Sequence, residues 1–149
     1  MLIDSVCFRR IVENIARSAS ITASEACCAV KLARLISSLD HDEDPVEREM
    51  LDNLSWEVCA VGGPHVAPFA FVPPANSDEY RERMDMLLHT VTSSAASELV
   101  YALVVLLIED RSRLADPLLE TLRITLAISE PRAQEVADLA RRAMADPVV

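Results

Sequence analysis

Apolar residues along this chain recur at helical intervals. Phe8, Ile11, Val12 and Ile15 fall every three or four positions, with Arg9, Arg10, Glu13 and Arg17 between them. That stripe predicts a first amphipathic helix from Leu2 to about Ser18. Thr22 with Glu25 three residues on reads as a capping box, in which hydroxyl and carboxylate each satisfy an amide left over at a helix start. The second helix then runs to about Leu39 and turns Val30, Leu32, Ala33, Leu35, Ile36 and Leu39 inward. Asp44, Pro45 and Glu47 open a third, since aspartate suits the cap and proline the first helical position. Its stripe is Val46, Met50, Leu54 and Val58, and it ends at Gly62 and Gly63, where a positive φ costs little.

From Pro64 to Asn76 the period is lost and prolines punctuate an irregular connection that still carries Val66, Phe69, Phe71 and Val72. A loop this apolar either crosses the core or offers a surface to a partner, so Phe69, Phe71 and Val72 are candidate partner-binding residues. A fourth helix starts near Ser77 and faces inward through Tyr80, Met84, Leu87, Leu88 and Val91. After the break at Thr92 to Ser94, a fifth is apolar nearly all round up to Ile108 and belongs at the centre. Asp116 and Pro117 repeat the cap signature before a sixth helix with Leu118, Leu119, Leu122 and Leu126. Ser129 caps a seventh that carries Ala133, Val136, Ala140 and Met144.

The expectation is therefore an all-α, single-domain bundle of about seven helices spanning residues 1–149. The segments 22–61 and 94–128 form two related helical hairpins, with an irregular, apolar, Pro-rich connection at 62–76 leading into the fourth helix between them. At this length roughly 70% of the unfolded surface can be buried in one core. Two glycines and 4% aromatics leave little for a sheet protein.

The formal charge of −10 repels phosphate backbones, so nucleic acid is not expected as a partner. The longest apolar run, Leu99 to Ile108, is ten residues, against the ~20 needed to cross a bilayer; membrane insertion is not expected. Cys7, Cys27, Cys28 and Cys59 make no zinc-type spacing and read as reduced buried thiols of a cytoplasmic protein. Isolated His65 and His89, with no nucleophile motif and no glycine-rich phosphate loop, give no support to catalysis. His89 reads as a core or rim residue.

Charge concentrates between residues 40 and 49, where carboxylates at 40, 42, 43, 44, 47 and 49 face Arg48 alone. Helix capping with a solvated anionic surface accounts for such a cluster. So does a divalent-cation site, calcium or magnesium held by Asp40, Asp42, Asp44 and Glu47, or a docking patch for a basic partner. An EF-hand is excluded, because Pro45 stands where its turn glycine belongs and Leu51 where its bidentate glutamate belongs.

The segment LARLISSLDHDEDPVEREMLDNL resembles the first hairpin of TerB-like tellurite-resistance domains, and LVVLLIEDRSRLADPLLETLRITLAIS is similar to the second. The resemblance covers about residues 22 to 145. It implies a compact bacterial helical module associated with stress responses, non-enzymatic and acting through protein partners. Acidic residues of the hairpin turns would be proposed metal ligands: Asp40 and Asp44 in the first turn, Glu47 and Glu49 on the helix it opens and, more weakly, Asp110, Asp116 and Glu120 in the second. The alternatives are a calcium- or magnesium-binding form of the same domain and, remotely, an unrecognised hydrolase.

Overall fold

The computed structural model describes residues 3, 5–15, 21–39, 44–60, 71–108 and 115–145. Among them are seven helices and no strand: α1 (Ser5–Ile15), α2 (Ala23–Ser37), α3 (Pro45–Ala60), α4 (Ser77–Thr90), α5 (Ser94–Ile108), α6 (Ala115–Thr125) and α7 (Glu130–Ala145). The chain folds as an all-α bundle. None of these helices is long and apolar enough to cross a membrane.

Helices α2 and α5 form the central pair and make the most extensive helix–helix contact among the described residues; α3 and α4 pack on α2, while α1, α6 and α7 pack on α5. The composition of α5 explains its place. Every residue from Leu99 to Ile108 is buried, and a helix apolar on all sides is stable only when neighbours cover all of it. Its carboxylate Glu98 is held from α7 by Arg132, whose Nε lies 2.9 Å and Nη2 2.7 Å from Glu98 Oε1. One continuous apolar cluster joins Ile11 of α1, Leu32 of α2, Leu54 of α3, Leu103 of α5, Leu122 of α6 and Val136 of α7.

The starts of α2, α3 and α7 follow the sequence signals. The Thr22 hydroxyl accepts the Glu25 amide at 3.1 Å and completes the capping box, Asp44 Oδ1 accepts the Glu47 amide at 2.8 Å, and Ser129 Oγ accepts that of Arg132. At α6 the signature is displaced. The helix begins at Ala115, so Asp116 and Pro117 lie within its first turn, where a missing amide hydrogen is harmless. The end of α6 is a Schellman closure: the Ile128 amide donates to Arg123 O at 3.0 Å and the Ala127 amide to Ile124 O at 3.1 Å. Ala127 takes the left-handed position usually given to glycine, with φ of 57°.

Two inward-facing expectations need correction. Val46 is 64% exposed, because a strict i, i+4 series drifts 40° per step around a helix of 3.6 residues per turn. Across Val46 to Val58 that drift takes the first member out of the face that buries Glu47, Leu51, Leu54 and Ser55. Leu39 is exposed as well, since α2 ends at Ser37 and Leu39 follows in a turn. His89 is exposed and no core residue, with Nδ1 2.6 Å from Asp85 O on its own helix. The reduced-thiol expectation fails at Cys27, which is buried and disulfide-bonded, while Cys7 and Cys28 remain thiols. Residues 16–20, the glycines at 62 and 63, and His41 and His65 lie outside the described residues.

Candidate functional site

The end of the bundle where α2 hands over to α3 gathers polar groups that an apolar stripe would not by itself supply. Arg34, on the buried face of α2, has a side chain only 3% exposed and pairs through Nη2 with Asp52 Oδ1 of α3 at 2.8 Å. A buried cation needs such a partner, and Arg34 has an aromatic one too: its guanidinium carbon lies 5.0 Å from the centroid of the Phe71 ring. Phe71 is thereby half-buried against α2, whereas the adjacent Val72 is exposed and gives its carbonyl oxygen to Arg83 of α4. Arg34 therefore joins α2, α3 and the segment leading into α4.

Around this anchor stand several of the residues expected from sequence. Asp44 is exposed and caps α3, and Glu47, one turn in, is buried. Glu49 is exposed. Asp40, Asp42 and Phe69 lie outside the described residues, as do Asp110 and the side chain of Asp116. Glu120 is on α6 at another part of the bundle, with one carboxylate oxygen 3.0 Å from Arg123 Nε and the other bonded to Arg123 Nη2. The Arg123 hydrogen bond, with the guanidinium charge reinforcing it, holds the Glu120 carboxyl below its ordinary pKa. No three His, Cys, Asp or Glu side chains among the described residues lie together as a metal site.

A second polar junction ties the two central helices. Glu25 Oε2 accepts the Ser93 hydroxyl at 2.8 Å and the Ser93 amide at 3.2 Å, while its other oxygen serves Thr22. Burial by itself would raise the pKa of this carboxyl, but the bonds from Ser93 and Thr22 hold it below the ordinary value. Ser93 Oγ in turn accepts the Ala96 amide at 3.1 Å. One carboxylate so organises the starts of both α2 and α5.

Compared with models of known protein families, with curated proteins and with solved structures, this chain matches none. Its chemistry has to be argued from its own residues. Sequence reasoning missed Arg34, although a signal was present: an arginine flanked by Leu32, Ala33, Leu35 and Ile36 stands inside an apolar stripe and calls for a buried partner. Exposed apolar side chains lie around the same junction. Leu39 and Val46 are 55% and 64% exposed, on either side of the acidic turn, and Val72 is 62% exposed beside Phe71. Leu39 also borders a cleft of about 500 Å³ with Pro73, Pro74 and Tyr80. The arrangement offers apolar contact beside negative charge.

Proposed function

We propose that this chain is a non-enzymatic helical interaction module of TerB-like type, which docks a protein partner at the junction of α2, α3 and the segment entering α4. The observation that supports this most is the exposure of Leu39 just past α2, Val46 in the first turn of α3 and Val72 beside the anchored Phe71. Isolated exposed apolar residues are ordinary, but a group of them on a rigid, acid-flanked support has the make-up of an interface. The fitting partner presents an apolar anchor with basic residues around it, complementary to Asp44 and Glu49. A bacterial stress response, including tellurite resistance, and a cytoplasmic setting belong to the same proposal. In a reducing cytoplasm the Cys27 disulfide would be a transient, redox-linked bond rather than a permanent staple.

A photo-crosslinking residue placed at Val46 in the host cell tests the docking surface. The expected outcome is one discrete adduct that disappears when Leu39 and Val72 are both changed to Ser, while the helical circular dichroism of the double variant is unchanged. An adduct that persists in that variant, or its appearance equally from a probe at exposed Met86 of α4, removes the proposal. The cation-binding alternative would use Asp40, Asp42, Asp44 and Glu47. A melting midpoint that neither calcium nor magnesium shifts relative to chelator removes that alternative.

A further inference from the structure

Trp56 stands on the outward face of α3 and is 63% exposed. It is the only tryptophan of the chain, a residue type that folded proteins bury highly on average. The helix packs mainly on α2 and buries Glu47, Leu51, Leu54 and Ser55. On the opposite side Glu49, Asp52, Asn53 and Trp56 follow at i, i+3, i+4 and i+7, an exposed stripe about 10 Å long. Side chains of a helix lean towards its N-terminus. The Trp56 indole is thereby set over the turn of Asp52 and Asn53, with Glu49 a turn beyond and Glu57 beside it.

The charges on this face have one sign. Glu49 and Glu57 are exposed and have no hydrogen bond or ion pair among the described residues. Asp52 gives Oδ1 to Arg34 at 2.8 Å and keeps 45% of its side chain exposed, which leaves Oδ2 open to a second donor. Arg48 is the only basic residue of α3. It projects about 80° away from Trp56 around the helix axis and is already engaged.

The bundle itself shows what an aromatic ring beside a carboxylate holds. Arg34 has the same Asp52 on its guanidinium and the Phe71 ring centroid 5.0 Å from its guanidinium carbon. A guanidinium offers a flat face that stacks on an aromatic ring and, in its plane, N–H donors that reach carboxylates near the ring. An ammonium has the charge without the flat face.

We propose that the outward face of α3 seats an arginine of a protein partner, its guanidinium stacked on the Trp56 indole and its N–H groups bonded to Asp52 and Glu49, with Glu57 adding negative charge. This rests on the docking surface proposed above, and gives the partner's basic residues a definite place. Trp56 lies about 15 Å along α3 from exposed Val46, so one bound segment covers both.

Tetra-arginine amide and tetralysine amide, titrated into the full chain at about 0.15 M salt, test the contact through the fluorescence of Trp56. Tetra-arginine should change that emission saturably, and tetralysine should bind about threefold more weakly or worse. With labelled peptides followed by anisotropy, Trp56→Leu should abolish the preference for arginine and Trp56→Phe should keep it. Glu49→Gln combined with Glu57→Gln should weaken both peptides. Emission unchanged by millimolar tetra-arginine overturns the proposal. So does equal binding of the two peptides, the result of charge attraction alone, or a preference that survives Trp56→Leu. The probes are synthetic, so the result is separate from that of the crosslink at Val46: an adduct there without arginine binding removes the arginine seat and leaves the docking surface standing.

Discussion

Glu25 ties two helix starts together, because its two oxygens serve the start of α2 and the start of α5. Replacement by glutamine puts an amide donor where four donors converge, and should cost about 1–3 kcal/mol in urea unfolding at neutral pH. The pH dependence has a definite sign. Glu25 has a folded-state pKa below its ordinary value of 4.5, so the stability it contributes is present above that value and is lost as pH falls through the lowered one. The gap between the wild type and Glu25→Gln should therefore be constant at neutral pH and shrink in acid; a gap that widens in acid contradicts the assignment. The Thr22 and Glu25 pairing was readable from spacing alone, whereas the contact with Ser93 joins residues 68 positions apart and leaves no local trace.

Among the elements, the end of α6 shows how a short supply of glycine is met. With its only glycines at 62 and 63, the chain places Ala127 in the left-handed region at φ 57° and retains both Schellman hydrogen bonds. An L-residue there is strained by roughly 1–2 kcal/mol. Ala127→Gly relieves that strain and should raise the melting midpoint by about 2–4 °C; a lower midpoint would show that Ala127 is not held in this conformation. Helix existence and most starts were legible because caps and periodicity are local. The start of α6 was misread because Pro117 tolerates any place in a first turn, so its position does not by itself mark the boundary. Val46 was misplaced for a geometric reason, since an exact four-residue repeat is not the helix period.

At the scale of the whole molecule, α5 is the axis against which four other helices are arranged. Leu99, completely buried at its centre, should cost about 2–5 kcal/mol when replaced by alanine, by the lost burial and the cavity left behind. Amide hydrogen exchange should be slowest in α5 and faster in α4, where no residue is fully buried. The reverse order would mean that α5 is not the stable centre. That centre was legible from its unbroken apolar run, but the pairing of α2 with α5 was not, because periodicity says which face is buried and not against what. The run also has a consequence for how the chain is made. As it leaves the ribosome, α5 can already meet α1 and α2, yet the sides that α6 and α7 will cover have nothing to meet until about forty further residues have been synthesised. During that interval a strip of leucine and valine faces water, the kind of surface that nascent chains lose to aggregation or lend to chaperones.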